Sequence, residues 1–159
     1  MTQERSTVYE AIPHVGVGPV KLGMTREEVR RAMPGPCETF FKGLNPEHET
    51  DAFHDSGFQV FYGGEGPTVE YIELSRESGF RAVYRGLDVF ATPADQVLAH
   101  VSGDATFDPD DRELGYADIF PDLDLSLWRP VLPESPKDPE GCEFSTIGIG
   151  VAGYYADRD

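Results

Sequence analysis

The sequence predicts an α+β fold in which short helices lie on an antiparallel β-sheet. Two segments combine a threonine N-cap, at Thr25 and at Thr92, with an apolar stripe at helical spacing. Three others, 52–62, 69–75 and 123–128, have the composition or the alternation of strands. Because the strands follow one another through turns, we expect antiparallel pairing with the helices on one face.

The first helix has the strongest local signals in the chain. Thr25 can accept a hydrogen bond from the first helical turn, and Glu28 can bond back to the Thr25 backbone, which completes a capping box. Met24 and Val29 are spaced for a hydrophobic staple, and Pro34 ends the helix. A helix of about nine residues is too short to be stable alone, so it must pack on the rest of the fold.

The rest of the first half is expected to supply strands around this helix. Residues 1–13 carry little pattern and are expected to form a loose arm, whereas the polar segment 42–51 predicts a loop. The segments that predict strands are 15–22, 37–41, 52–62 and 69–75, the last two forming a hairpin.

The second half is expected to repeat this order. Thr92 caps a helix that has Pro93 at its first position and ends near Val101. An acidic loop at 104–118 follows, and prolines recur at every third position of 130–139, which favours a stiff extended connection. The segments that predict strands are 80–84, 87–90, 123–128 and 144–155.

This similarity between the halves indicates an internal duplication within a single domain of residues 1–159. The repeats would span about 14–78 and 79–156, each a short capped helix packed on an antiparallel sheet, with strands that can join into one curved sheet. The strands before the two helices also match, at 20–22 and 87–89. Two unrelated helices with similar caps are the alternative.

The charge of the chain limits the kinds of partner it can bind. Its 29 acidic residues outnumber its 13 basic residues, and the formal net charge is −16. Such a surface repels nucleic acid and anionic membranes and favours a cationic partner. The alternative is that the acidic surface only keeps the protein soluble. Oligomeric state is not predicted.

Export and membrane insertion are not predicted either. Residues 1–6 are not followed by the apolar segment of a signal peptide, and the uncharged segment 145–156 is too short to span a bilayer. The two cysteines, Cys37 and Cys142, are therefore expected to be reduced, as they would be in the cytoplasm.

The segment Leu-Gly-Met-Thr-Arg-Glu-Glu-Val-Arg at 22–30 resembles the start of a helix in the beta-lactamase-inhibitor-like and SmpA/OmlA-like proteins. The resemblance implies short helices against a four-stranded antiparallel sheet, repeated in tandem in the inhibitor proteins, and an open sheet that binds another protein. This chain shows neither the export signal and lipidated cysteine of SmpA/OmlA-like proteins nor a disulfide within each unit. An envelope location and a beta-lactamase target are therefore not carried over.

No catalytic, cofactor or metal site is predicted. Cys37 could join His48 or His54 in a thiol triad, but no local motif supports this, and a buried structural cysteine is the preferred interpretation. The four histidines have no paired metal-ligand spacing. The acidic loop 104–118 departs from the EF-hand pattern, and whether it binds calcium stays open.

Alternation in the predicted strands places aromatic and acidic side chains together on one face of the sheet. In 123–128 three leucines alternate with Asp124, Ser126 and Trp128. In 69–75, likewise, Ile72 and Leu74 lie opposite Tyr71 and Glu73. Exposed aromatic residues surrounded by polar groups are typical of binding hot spots. The predicted partner-binding residues are Phe61, Tyr71, Glu73, Asp124, Ser126 and Trp128. The alternative is that the proline-rich segment 130–139 folds over this face and buries it.

These observations favour a protein-binding module over an enzyme. We expect a cytoplasmic inhibitor or immunity protein that uses the aromatic and acidic sheet face to bind a basic protein. The alternative is a small-ligand-binding protein or an enzyme with a pocket between the sheet and the helices. A broad aromatic face would favour the first hypothesis, and a deep apolar cavity with convergent polar groups would favour the second.

Overall fold

The described residues form two β-sheets and two short helices, which share one large apolar cluster. The structure is a computed structural model, and it describes residues 7–33, 35–40, 49–54, 57–64, 66–76, 80–103, 117–130 and 141–154. In chain order its elements are β1 (Thr7–Ile12), β2 (Gly16–Val17), β3 (Val20–Lys21), α1 (Arg26–Ala32), β4 (Glu38–Phe40), β5 (Thr50–Phe53), β6 (Phe58–Gly63), β7 (Thr68–Ser75), β8 (Phe80–Tyr84), β9 (Leu87–Asp88), α2 (Ala94–Ser102), β10 (Ala117–Phe120), β11 (Leu125–Trp128) and β12 (Thr146–Gly150). The predicted α+β class is confirmed, but the strands divide between two sheets and do not join into one curved sheet.

The smaller sheet has five strands in the order β3-β2-β1-β8-β9. Its central strands β1 and β8 are parallel, with Thr7 opposite Phe80 and Glu10 opposite Val83, and its other pairs are antiparallel. The prediction of antiparallel pairing is therefore wrong for this one pair. Parallel strands need a long connection between them. Here the connection from β1 to β8 includes α1 and the four strands from β4 to β7.

The expectation of a loose arm at residues 1–13 is wrong for the part that the structure describes. β1 alternates, with Tyr9 and Ala11 buried while Val8 and Ile12 are exposed. Only two side chains of this strand reach the core, which is too few for a strand pattern to stand out in the sequence. Its neighbour β8 lies far along the chain, so no local turn signals the pairing.

The larger sheet has seven strands, all antiparallel, in the order β10-β11-β12-β7-β6-β5-β4. The single strand predicted at 52–62 is two strands, β5 and β6, and Gly57 lies in the turn that joins them. The last strand, predicted at 144–155, is the shorter β12, which is followed by a turn at 152–154.

The predicted hairpin of β6 and β7 contains one β-bulge. Phe61 pairs with Tyr71, whereas the next residue, Tyr62, pairs with Val69. Glu70 is therefore an extra residue in β7, and it interrupts the alternation of side chains between the two faces. As a result, Glu70 and Tyr71 lie on the same face of the sheet.

The larger sheet has one buried face, the inner face, and an opposite outer face. The inner face is defined by the buried side chains of Phe53, Phe58, Val60, Ile72, Leu74, Leu125, Leu127, Ile147 and Ile149. They form one cluster with side chains of the smaller sheet, such as Tyr9 and Tyr84, and with Val29 of α1 and Val97 of α2. The outer face carries the side chains that alternate with them.

The capping box predicted for α1 is confirmed. The Thr25 hydroxyl accepts a hydrogen bond from Glu28 N, and a Glu28 carboxylate oxygen accepts one from Thr25 N at 2.9 Å. The chain just before α1 is also bonded to β7, because Gly23 N donates to Val69 O and Val69 N donates to Met24 O. The start of the helix is thus fixed both by its own cap and by the larger sheet.

The cap predicted for α2 at Thr92 is wrong. The N-cap residue is Pro93, which has no side-chain cap, and the Thr92 hydroxyl instead donates to Asp88 O at 2.6 Å. One backbone N–H at the start of α2 has its acceptor in a distant part of the chain, because Ala94 N donates to Cys142 O.

The duplicated units predicted at 14–78 and 79–156 find no support in this fold. The matching caps were the most specific part of that argument, and the two helices start in different ways. Both sheets contain strands from both halves, so neither predicted unit has a sheet of its own.

Four further predictions fall wholly or mostly outside the described residues. They are Pro34 at the end of α1, most of the loop at 42–51, most of the acidic loop at 104–118 and most of the proline-rich connection at 130–139. The last two residues of the first of these loops, Thr50 and Asp51, instead belong to β5. The structure therefore does not test whether the acidic loop binds calcium or whether the proline-rich segment covers the outer face.

Replacing Thr25 by alanine should lower the free energy of unfolding by about 1 kcal/mol, because Glu28 N then has no side-chain acceptor. Thr25→Gly should cost less, roughly 0.3 kcal/mol. Urea denaturation followed by far-ultraviolet circular dichroism measures both changes. Thr25→Ser, which keeps the hydroxyl, is the matched control, and an alanine variant as stable as the wild type would contradict the role assigned to the cap.

Candidate functional site

The outer face of the larger sheet holds most of the predicted binding residues. The strand registers place seven residues in one row across the sheet, which are Glu38, Ala52, Gln59, Glu73, Gly148, Ser126 and Ile119. Phe61 and Tyr71 form an adjacent pair on one side of this row, and Trp128 lies on the other side. Ala52, Tyr71 and Ile119 are buried, so this face is partly covered. Trp128 is the most exposed of its described large apolar side chains, with 41% of its surface accessible.

Three aromatic rings lie side by side on the outer face and form what we call the aromatic row: Phe61, Tyr71 and Tyr154. The ring centroids of Phe61 and Tyr71 are 5.6 Å apart, and those of Tyr71 and Tyr154 are 4.7 Å apart with nearly parallel planes. Tyr154 reaches this position because it lies over Gly150, where a Cβ atom would be 2.6 Å from that of Tyr154. The turn after β12 therefore folds back over the sheet.

Tyr71 lies on the predicted face, but the expectation that it is exposed is wrong. Its side chain is only 8% exposed, because Tyr154 stacks on it and Ile119 packs in the same cluster. Its hydroxyl crosses β12 to lie 2.9 Å from Ser126 Oγ. A Cβ atom at Gly148 would overlap that hydroxyl, so glycine is required where the tyrosine crosses the strand.

Asp124 is not part of the exposed face, which corrects another prediction. It precedes β11 in a turn with a left-handed backbone (φ 47°), and it is 2% exposed. One carboxylate oxygen accepts a hydrogen bond from Gly153 N at 2.9 Å and lies 2.9 Å from His14 Nε2. The carboxylate therefore joins the β1–β2 turn to the turn that carries Tyr154.

His14 and Tyr154 are two parts of this surface that were not predicted from the sequence. His14 lies 110 positions from Asp124, and no local pattern connects them. A signal for Tyr154 did exist, because Gly148 and Gly150 alternate in β12, and glycine within a strand often marks the close approach of another group.

The charged side chains that the described strands place on the outer face are all acidic. Glu38, Glu70 and Glu73 belong to it, and the carboxylate of Glu70 lies directly against Gly63. The described basic residues lie elsewhere, in or beside the other elements or at the sheet margins, and they are Lys21, Arg26, Arg30, Arg31, Arg76, Arg81, Arg85 and Arg129. Within the described strands, the outer face therefore presents aromatic and acidic side chains without a lysine or arginine.

A second polar cluster, around Asp51, lies on the inner side of the same sheet at the contact with α1. The Asp51 side chain is completely buried. It accepts hydrogen bonds from Arg26 Nη1 at 2.8 Å, from Arg30 Nη2 at 2.8 Å and from the Tyr62 hydroxyl at 2.9 Å. The Arg26 guanidinium also lies 4.4 Å from the centre of the Tyr62 ring. These contacts fasten α1 to β5.

The titration of the Asp51 cluster favours a structural role over acid–base chemistry. Burial alone would raise the pKa of Asp51, but hydrogen bonds from Arg30 and Tyr62 and the charges of both arginines hold it below the usual value. Burial, and then the hydrogen bond to Asp51, raise the pKa of Tyr62 well above its ordinary value. A carboxylate that stays ionised and a phenol that stays protonated do not exchange protons near neutral pH.

The thiol triad considered for Cys37 has little support. Burial, followed by the charge of Asp51, raises the pKa of the Cys37 thiol, which disfavours the reactive thiolate. His54 belongs to a different group, since its Nε2 lies 2.7 Å from the Tyr9 hydroxyl and its ring packs on Phe80. His48 lies outside the described residues.

Neither metal ligands nor a membrane-crossing helix is found in the part of the chain that the structure describes. No group of three or more His, Cys, Asp or Glu side chains there is arranged to hold a metal ion. Neither of its two helices has the length and apolar character needed to cross a bilayer.

Comparison of the chain with protein-family models, with curated proteins and with solved structures returned no match. The resemblance of residues 22–30 to the beta-lactamase-inhibitor-like and SmpA/OmlA-like proteins therefore stays a prediction. Any function must be argued from the geometry and charge of the surface.

Asp51→Asn should destabilise the protein by about 2–4 kcal/mol, because two arginines lose the carboxylate they share in a buried site. The folded pKa of Asp51 is depressed, so the stability it contributes is complete above its unfolded pKa, about 4, and is lost as pH falls through the folded pKa. The difference between wild type and variant should therefore shrink in acid, as measured by denaturation from pH 7 to pH 2.

Glu27→Gln is the matched control, since Glu27 pairs with Arg31 on the exposed side of α1. This change should alter stability by less than about 0.5 kcal/mol. A constant difference between wild type and Asp51→Asn at every pH would contradict the charged state assigned to Asp51.

The fluorescence of Trp128 should report an exposed indole on a protein of net negative charge. Trp128 is the only tryptophan, so its emission should be red-shifted and readily quenched by acrylamide. Caesium should quench it more efficiently than iodide, relative to free tryptophan, because the acidic surface attracts cations and repels anions. A blue-shifted emission that acrylamide cannot quench would contradict the open position of this residue.

Proposed function

We propose that the protein is a protein-binding module that docks a basic partner protein on the outer face of its larger sheet. In this role it acts as a cytoplasmic inhibitor or immunity protein, which covers a functional surface of its partner. The observation that carries the proposal is the combination of half-exposed aromatic rings and glutamates on a sheet face that has no described cation.

The aromatic side chains provide the contact area of such an interface. Trp128 is 41% exposed and Phe61 and Tyr154 are also partly accessible, whereas most large apolar side chains of the described residues are buried. Tryptophan and tyrosine are enriched among residues that dominate binding energy. A sheet face that is not part of the main apolar core, and that still carries such residues, is suited to binding a partner protein.

The charge provides steering and selectivity. A net charge of −16 attracts cationic proteins over a distance and repels nucleic acids and anionic membranes. Self-association through this face would bring Glu70 and Glu73 of two copies together, which is unfavourable. These charges support a basic partner over a second copy of the chain.

The small-ligand alternative has less support. The space between the helices and the two sheets is filled by a continuous cluster of buried apolar side chains, among them Val29, Val97, Ile72 and Leu74. A ligand pocket there would need an opening lined by convergent polar groups. One buried polar residue of this region, Asp51, is already bonded to side chains of α1 and β6.

The proposal is tested by capturing basic proteins from a lysate of the source organism at low salt and measuring their affinity for defined variants. Trp128→Ala should weaken binding of the partner by about 2–4 kcal/mol, because a central aromatic contact is lost, while leaving stability nearly unchanged. Glu73→Gln should weaken binding less and reduce its dependence on salt.

Matched controls come from the exposed side of β1. Val8→Ala removes an apolar side chain that is 50% exposed, and Glu10→Gln removes an exposed carboxylate, both on the smaller sheet. These variants should bind like the wild type. A partner whose affinity falls equally with the control variants, or is unchanged by Trp128→Ala and Glu73→Gln, would overturn the proposal.

A further inference from the structure

We propose that His14 is a positioning residue of the outer face. Through Asp124 it holds the turn at 151–154 in the place that keeps the Tyr154 ring stacked on Tyr71. This inference rests on the proposed function and deepens it, because it names a residue of the smaller sheet on which the binding face of the larger sheet depends.

The position of the Tyr154 ring depends on the path of the turn that carries it. Val151 N donates to Glu70 O, which starts the turn beside β7, and Tyr154 N donates back to Val151 O. Gly153 N donates to Asp124 Oδ2 at 2.9 Å. Because Gly153 directly precedes Tyr154, this bond joins the end of the turn that carries the ring to the residue before β11.

The backbone of Asp124 is held independently of its carboxylate. Its carbonyl oxygen accepts a hydrogen bond from Gly150 N at 2.8 Å, and its own N donates to Pro121 O at 3.2 Å. These bonds hold the main chain in its left-handed conformation, but they leave the direction of the carboxylate to rotation about the side-chain bonds. The aim of the carboxylate at Gly153 N is therefore set by the contacts of the side chain itself.

His14 supplies such a contact from the smaller sheet. Its Nε2 lies 2.9 Å from Asp124 Oδ2, the oxygen that also accepts from Gly153 N. His14 is itself placed by the β1–β2 turn, in which Val15 N donates to Ile12 O. The Asp124 side chain is 3% exposed, so water competes little for this oxygen. The imidazole therefore helps to fix the carboxylate in the orientation that the turn requires.

The exposure of His14 separates this role from a general role in stability. Its side chain is 42% exposed and belongs to neither apolar cluster, so its replacement should open no cavity in the core. A partly exposed polar contact also contributes little to global stability. Loss of the imidazole should therefore act mainly on the turn and leave the fold intact.

A loosened turn should weaken the binding of the partner. Tyr154 is one end of the aromatic row, and it covers Tyr71. A ring that moves in the free protein must be ordered again when the partner binds, and this ordering costs binding free energy. His14 should therefore raise the affinity for the partner without touching it.

The first test follows the turn by nuclear magnetic resonance of the intact chain. His14→Asn is the informative variant, because asparagine also tolerates the left-handed backbone at this position (φ 63°) but is too short to reach Asp124. The Gly153 amide should exchange with water about threefold to tenfold faster in this variant. The Gly150 amide, whose acceptor is the Asp124 backbone oxygen, is the internal control and should keep its rate.

Two further signals identify the cause of that change. One Hα of Gly150 points at the Tyr154 ring, so the ring-current shift of this proton should shrink in His14→Asn. His14→Gln, which places an amide nitrogen near the position of Nε2, should bring the exchange rate and the ring-current shift back toward wild type. Unchanged signals at both Gly153 and Gly150 in His14→Asn, or equally faster exchange of both amides, would overturn the inference.

The second test measures the affinity of the captured partner. His14→Asn should weaken it by about threefold to tenfold, whereas His100→Asn, the matched control on α2, should leave it unchanged. If Trp128→Ala does not weaken the partner, the proposed function is wrong, whatever the resonance signals show. If Trp128→Ala weakens it but His14→Asn does not, the outer face is the interface and the role assigned to His14 is wrong.

Discussion

The constraint on which the rest of the structure depends is the burial of one face of the seven-stranded sheet. Successive side chains in a strand point to opposite faces, so the burial of Phe58, Val60, Ile72 and Leu74 against the smaller sheet and the helices decides where all the alternating residues lie. A slip of one residue in any strand would move its apolar side chains to solvent. The register that buries the inner face therefore also determines which side chains lie on the outer face, although those side chains are not part of the main core.

One part of the outer face is covered by aromatic rings and another part is exposed. The positions of glycines in the sheet determine which part the rings cover. Gly148 and Gly150 let the rings of Tyr71 and Tyr154 lie across β12, where any side chain would collide with them. The buried carboxylate of Asp124 holds the turn that carries Tyr154 through Gly153 N. Trp128, at the far end of β11, is 41% exposed among the described residues. Rigid aromatic support beside an open aromatic residue and carboxylates is an arrangement suited to recognition of a cationic surface.

Features encoded by neighbouring residues were predictable from the sequence, and features created by distant contacts were not. The capping box of α1, the β6–β7 hairpin and the inward leucines of β11 each follow from local spacing. The strand β1 was missed because its partner β8 is distant in the chain, and the start of α2 was misplaced because Cys142 O, a tertiary acceptor, bonds Ala94 N. For the candidate site, alternation correctly predicted that Tyr71, Glu73 and Ser126 lie on the same face of the sheet. It could not reveal that Tyr154 covers Tyr71, or that His14 lies against Asp124 and helps to bury it.

The central claim is that the outer face, and no other described surface, receives a basic protein. The most direct test replaces Trp128 by the photoreactive amino acid p-benzoylphenylalanine and irradiates the protein in cells of the source organism, with the same replacement of Val8 on the smaller sheet as the reference. We expect a covalent adduct with a basic protein from position 128 only. When the irradiation is repeated in a lysate, the adduct should form less efficiently at high salt. Adducts formed equally from both positions, or formed at position 128 only with acidic proteins, would contradict the account.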